Sequence, residues 1–247
     1  MSFLALCAVL SGCVMQPSLI PDASNGMMSG GWNAALGTND LVRAMVNIEV
    51  EKSKSYHTTQ ATLLLKKPSY LRLEILSVMG ISGLCVIAAP EKMIVYLPSK
   101  NEFYSGRPSR QNISKFIPLP LDAADIVPML TGSIPGLTDD SVEKRLYQEN
   151  DPWRLDMTWR SGVSQTAWLK LNRLIRLTRS GDGPQEWLNA EYFYENERES
   201  LPSKIVFTMA DGGYIGITYT DLSVEKTDDV SMFNMDLPPN ATVVDLN

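Results

Sequence analysis

Residues 71–84 read L-R-L-E-I-L-S-V-M-G-I-S-G-L. Leu71, Leu73 and Ile75 alternate with Arg72 and Glu74. This is the period-2 pattern of a strand with one buried and one wet face. Ser77, Gly80, Ser82 and Gly83 then supply a bend. That bend carries Val78, Met79 and Ile81, where a connection between strands is ordinarily polar.

The same alternation recurs on both sides. Val46, Ile48 and Val50 precede it, then Ala61, Leu63 and Leu65; M-I-V-Y-L at 93–97 and E-F-Y at 102–104 follow. In the second half Trp153, Leu155, Met157 and Trp159 alternate, then Ala167, Leu169 and Leu171, then residues 187–195. Ile205, Phe207 and Met209 run into Ala210-Asp211-Gly212-Gly213, a hairpin signal, and Ile215, Ile217 and Tyr219 continue beyond it. Helices are expected in three places: a short one around Asn39–Met45, and two over Ser109–Leu119 and Leu121–Thr131, broken at Pro118 and Pro120. Ten or eleven strands joined by tight turns, with helices inserted near the centre, predict a mainly β barrel or strongly curled antiparallel sheet.

The chain has 247 residues, 44% of them hydrophobic, which suffices for one sizeable core. Its net charge of -6 argues against a nucleic-acid partner, which needs clustered Lys and Arg. His57 is the single histidine and stands just before the second predicted strand, more in keeping with a surface or turn residue than with a base. There is no G-x-S-x-G, no Cys/His cluster with metal spacing, no Walker loop and no dinucleotide fingerprint. The acidic pairs Asp139-Asp140, Asp228-Asp229 and Glu197 with Glu199 lie in polar, loop-like stretches that read as solvated surface. No enzyme, metal or cofactor is expected.

Residues 2–10, S-F-L-A-L-C-A-V-L, are apolar and too short to span a bilayer, so they resemble a signal-peptide core over 1–12, although no Lys or Arg precedes them. Leu10-Ser11-Gly12-Cys13 resembles the bacterial lipobox, with cleavage before Cys13 and acylation of that cysteine; a buried N-terminal strand is the alternative. Val14 rather than Asp follows it, which favours the outer over the inner membrane. Residues 13–31, rich in Pro, Ser, Asn and Gly, read as an acylated cysteine and flexible tether, and 32–247 as one domain.

The run L-R-L-E-I-L-S-V-M-G, the segment R-Q-N-I-S-K-F-I-P-L-P-L-D-A-A-D-I-V-P-M-L-T-G-S-I-P and the ending F-N-M-D-L-P-P-N-A-T-V-V-D-L resemble the LolB outer-membrane lipoprotein receptor and related lipoproteins that share the LolA fold. The resemblance covers roughly residues 40–245. It implies an unclosed antiparallel barrel of about eleven strands with plug or lid helices and an apolar hollow for the acyl chains of lipoproteins. On that reading Ile48, Leu63, Leu65, Leu73, Ile75, Trp159, Leu169, Ile205, Phe207 and Ile217 face the hollow. Ile113, Phe116, Ile117, Ile126, Met129 and Leu130 form the lid, or else ordinary core. LolB carries a protruding loop with a Pro-Leu-Gly tip that enters the membrane; Val78-Met79-Gly80 matches it, with Ile81 beside it, and rim packing or a protein contact are the alternatives. The implied partners are lipoprotein acyl chains, a LolA-type periplasmic carrier and outer-membrane lipid held through acylated Cys13. The implied protein is a monomeric receptor on the periplasmic side of the outer membrane. The alternative is an envelope lipoprotein that binds another hydrophobic ligand or serves as a structural part.

Overall fold

The structure, a computed structural model, describes residues 18–19, 36–52, 55–76, 82–148, 151–181 and 187–246. The tip residues Val78, Met79 and Ile81, and Cys13, lie outside them. A first meander runs β2 (Asp40–Lys52), β3 (Ser55–Lys66), β4 (Tyr70–Leu76), β5 (Ser82–Ala88), β6 (Met93–Leu97) and β7 (Glu102–Gly106). Helices α1 (Arg110–Ile113) and α2 (Ala123–Leu130) follow. A second meander runs β8 (Glu143–Gln148), β9 (Trp153–Thr158), β10 (Ser164–Lys170), β11 (Arg173–Ser180), β12 (Leu188–Phe193), β13 (Lys204–Met209) and β14 (Tyr214–Lys226). Pairing of β14 with β2 joins the two meanders, β15 (Thr242–Asp245) adds parallel to β7, and β1 (Ser18–Leu19) adds to β8. Among the described residues this is one sheet of fifteen strands whose outer members, β1 and β15, do not pair with each other. The fold is therefore the expected unclosed antiparallel barrel with few, short helices.

The registers give the barrel two ends. At the upper end β4 meets β5, β2 meets β3 and β13 meets β14; at the lower end β3 meets β4, β8 meets β9 and β12 meets β13. The inward set, such as Val42, Val46, Leu63, Leu155, Leu169, Ile205 and Phe207, forms the main core.

Several sequence expectations are corrected. Residues 40–45 are strand, not helix: Asp40 Oδ2 accepts from the Gly37 N–H at 2.7 Å and closes a turn that opens β2. The three-and-four spacing of Leu41, Val42 and Met45 arises because Leu41 is buried on the outer face while Val42 faces inward. Only 110–113 of the first lid segment is helical, capped by Ser109, because the prolines that follow forbid more turns. β8 and β11 were not anticipated. β8 buries Leu146 alone, and β11 buries only Leu174 and Leu177, three apart, opposite a bulge at Trp168/Leu169. Leu171 does not face inward but is 59% exposed, in a turn at φ 50°. His57 lies within β3, exposed, opposite Val50. Ser18 and Leu19, inside the expected tether, are strand.

β5 and β6 are buried on both faces. Val86, Ala88, Met93 and Val95 face the main core, while Cys85, Ile87 and Ile94 join Leu41, Phe103 and Phe233 in a second cluster outside the barrel. The chain itself supplies the cover. β14 ends at the lower end and β15 begins at the upper end, so residues 227–241 must cross the outer face lengthwise. Lys66 Nζ and Arg72 Nη1 donate to the carbonyls of Thr227 (2.6 Å) and Met232 (2.8 Å), and Phe233 lies 5.2 Å from the Tyr70 ring. Phe233→Ala should cost about 3–5 kcal/mol in denaturant unfolding, the usual loss for a buried phenylalanine, and make the Cys85 thiol reactive in the native state.

Candidate apolar ligand site

The interior is not filled uniformly. A hollow of about 110 Å³ lies against β2, β3 and β4, walled by apolar side chains save for Thr59. Inward residues become more exposed toward the upper end. Val46 is 1% exposed and Ile48 9%, with Val50 half-buried; Leu71 is 1% exposed and Leu73 9%, with Ile75 half-buried. The hollow thus widens where β4 leads into residues 77–81.

The inserted segment 107–142 forms its inner wall. Asp122 caps α2, its carboxylate accepting from the Asp125 N–H at 3.0 Å. The polar contacts of this segment run to one side of the barrel. Tyr219 in β14 donates to the Leu130 carbonyl at 2.7 Å, Gln165 in β10 donates to that of Pro135 at 3.1 Å, and Arg179 in β11 meets Asp125 at 2.7 Å. Gly136 has φ +68°, and a side chain there would strike Trp159 at 2.5 Å. Against β2–β4 the same segment presents Phe116, Ile117, Pro118, Leu119, Ile126 and Leu130 across the hollow. The plug is fixed by directional bonds to β10, β11 and β14 and meets β2–β4 through apolar contact; the hollow forms there, bounded on one flank by Ile215 and Ile217 of β14.

Of the residues expected to face a hollow, Ile48, Leu63, Leu73, Ile75 and Ile217 line it, with Phe116, Ile117, Ile126 and Leu130 from the lid set. Leu65, Leu169, Ile205 and Phe207 are packed core at 1% exposure or less, as are Ile113 and Met129 at 0%. Trp159 stands across the barrel, its ring 5.4 Å from the Arg179 guanidinium. Val46, Val50, Thr59, Leu71, Pro118, Leu119 and Ile215 complete the lining and are not among the expected site residues, though Val46, Val50, Leu71 and Ile215 belong to alternating runs.

Burial first, with Glu74 nearby, pushes the Cys85 thiol up to about 11 despite Arg72, so it is not a thiolate at neutral pH. Among the described residues no three His, Cys, Asp or Glu side chains are placed to hold a metal, and no helix is long and apolar enough to cross a membrane.

Solved structures with this architecture include the following three. A DUF1329 family protein from Desulfovibrio piger ATCC 29098 matches with TM-score 0.61 and 14% identity, covering 81% of this chain and 91% of its own. A domain assigned to outer membrane lipoprotein sorting from Vibrio parahaemolyticus matches with TM-score 0.58 and 12% identity, covering 80% and 90%. A LolA superfamily protein from Nitrosomonas europaea matches with TM-score 0.57 and 14% identity, covering 83% and 94%. No protein-family model matches the sequence, and no curated protein does. The fold is LolA-like.

The Asp125–Arg179 pair holds the plug in a buried setting, with side chains 14% and 12% exposed. Burial raises the Asp125 carboxyl above its ordinary value, and Arg179 offsets part of that rise. Arg179→Met leaves a buried carboxylate alone, a change that costs about 3–5 kcal/mol. A folded-state pKa above the unfolded value means stability falls as pH rises through the window between the two. Without Arg179 that window widens upward, so unfolding midpoints should show a larger deficit at pH 8 than at pH 5.

Proposed function

We propose that this protein is a LolB-like receptor that takes the acyl chains of lipoproteins into the β2–β4 hollow and passes them to the outer membrane, to which acylated Cys13 tethers it on the periplasmic side. The observation that carries this reading is an apolar hollow whose lining grows more exposed toward the end of β4, which the sequence continues as Ser77-Val78-Met79-Gly80-Ile81. Transfer of an acyl chain between apolar surroundings needs no covalent step, and nothing in the described site calls for a catalyst. A LolA-type carrier would present the chain at the upper end. Burying one Met79-sized side chain in lipid contributes about 1.5–3 kcal/mol, enough for transient contact and too little for anchoring.

Cargo that needs more room than the hollow offers displaces Phe116–Leu119, the part of the plug that faces it through apolar contact. Filling the space instead, with Leu73→Trp, should leave the fold's circular dichroism unchanged and lower affinity for a fluorescent fatty-acyl probe at least tenfold. Unchanged affinity would place the ligand elsewhere and sink this reading; binding of free fatty acid but not of a lipoprotein would favour a general lipid-binding role.

The anchor imposes a further requirement. β1 runs antiparallel to β8 with Ser18 opposite Gln148, so the strand begins at the lower end. Five residues back to Cys13 span at most about 17 Å, which would keep an anchor there within that reach of Ser18. While β1 stays paired, the anchor and the 77–81 loop serve opposite ends. Once it is released, the 23 residues from Cys13 to Leu36 span on the order of 26 Å as a coil and at most about 78 Å extended. A disulfide between Leu19→Cys and Tyr147→Cys, which are register partners, should keep probe binding and abolish delivery of lipoprotein into liposomes, with reduction restoring it. Delivery by the oxidised protein would show that the upper end is not the one that meets the anchored membrane.

A further inference from the structure

β14 is longer than the strand beside it. Its pairing with β13 stops at Thr218 opposite Lys204, whereas its pairing with β2 continues to Lys226 opposite Asp40. Among the described residues, 220–226 therefore have a strand neighbour on one side only. Leu222 and Val224 lie opposite Ala44 and Val42, both inward and buried, yet they are 37% and 45% exposed because no described strand covers them. An open edge with apolar side chains is one that proteins ordinarily block. Here a bulge at Tyr219/Asp221 and Lys226 stand only at its two limits.

A pocket of about 260 Å³ adjoins the edge, between Leu222, Thr220 and Tyr219 on β14 and Leu201, Pro202 and Glu199 of the β12–β13 connection. Its surroundings are acidic. Glu195 and Glu199 line it, Asp221 and Glu225 lie on the edge strand, Glu197 stands in the same β12–β13 connection, and Asp228 and Asp229 follow β14 in sequence. Against these, Arg43 is engaged by Glu225 at 2.8 Å, Lys226 by Asp40 at 3.0 Å and Arg173 by the carbonyls of Asn196 and Glu199, while the connection also carries Arg198. The edge D-L-S-V-E also disfavours a second copy of itself. Antiparallel pairing about Ser223 would set Asp221 against Glu225, and like charges directly opposite are destabilising.

We infer that the 220–226 edge is a docking strand for an extended, cationic segment of a partner protein. That segment adds a strand beside β14, sets alternate apolar side chains on Leu222 and Val224, and places its basic side chains among the carboxylates. Strand addition of this kind takes affinity from main-chain hydrogen bonds and specificity from the side-chain pockets. The site is at the lower end, away from the hollow, and does not depend on the acyl-binding reading.

The test uses the full-length mature chain with Cys13→Ser and a ten-residue peptide of alternating Lys and Val, with Glu and Val as its control. The Lys peptide should bind by calorimetry and slow amide exchange over 221–225 at least tenfold. Affinity should fall with added salt, and Leu222→Lys should weaken it at least tenfold with the melting temperature and fatty-acyl probe binding unchanged. Equal binding of the Glu peptide, or no binding of either, overturns the proposal. So does slow exchange of 221–225 in the free chain that deletion of residues 20–31 abolishes, since the chain's own N-terminal segment is then the occupant. A dimer that Leu222→Lys splits likewise overturns it in favour of a second copy.

Discussion

The ladder between β2 and β14 joins residues 40–52 to residues 214–226 and is the only seam between the two meanders. Ile48 sits opposite Ile217, roughly 170 positions later in the chain. Closing a loop of that length costs about 4–5 kcal/mol beyond a constant, and that cost is not recovered by a short contact. Both strands run 13 residues, the longest in the fold, and their inward residues Val42, Val46, Ile48, Ile215 and Ile217 belong to the main core. Without this seam β2–β7 and β8–β14 are two sheets, each with a bare apolar face. With it they curl into one wall around segment 107–142, and the hollow follows from how unevenly that segment is held.

Uneven attachment is a physical consequence of where the polar side chains stand. The β10–β14 wall carries Gln165, Arg179 and Tyr219, each reaching the plug, whereas the β2–β4 wall offers Val46, Ile48, Leu63, Leu71 and Leu73. Directional bonds fix distance, but dispersion contacts merely improve with approach. A plug pinned to one wall cannot also close upon the other, and the gap remains on the side where leaving costs no hydrogen bond.

Much of this was legible in the residues, and the failures have causes. Alternation at 46–50, 61–65, 71–75, 153–159, 205–209 and 215–219 marks inward faces directly, and the paired prolines 118 and 120 end the first lid segment. The second cluster was not read, although a signal existed: C-V-I-A at 85–88 and M-I-V at 93–95 do not alternate at all. A continuous apolar run in an antiparallel sheet means both faces are covered, and the cover had to come from elsewhere in the chain. The helix expected at 39–45 fails for the same reason, since Leu41 is buried beneath that cover and breaks the period of two. Within the site, alternation identified which residues face inward but not which inward residues meet empty space. Leu65 and Leu63 are two apart on one strand, yet only Leu63 borders the hollow. The difference lies in the plug's polar anchors, which no local pattern encodes.

The barrel's two ends carry different kinds of surface, and the sheet's connectivity dictates which goes where. Three antiparallel pairings, through β2 and β3, separate β14 from β4, so the two strands run in opposite senses: β4 ends at the upper end and β14 at the lower. The overhang of β14 therefore lies at the end of the barrel opposite the one toward which the hollow opens. The strap at 227–241 must start there and travel the full outer face to reach β15, and in doing so it stiffens β4–β7, the strands that flank the 77–81 connection. An apolar hollow at one end needs a rigid wall to stay open against the collapse that its own greasy lining favours. The strap supplies that rigidity from outside, where a second layer of core does not compete for the space within.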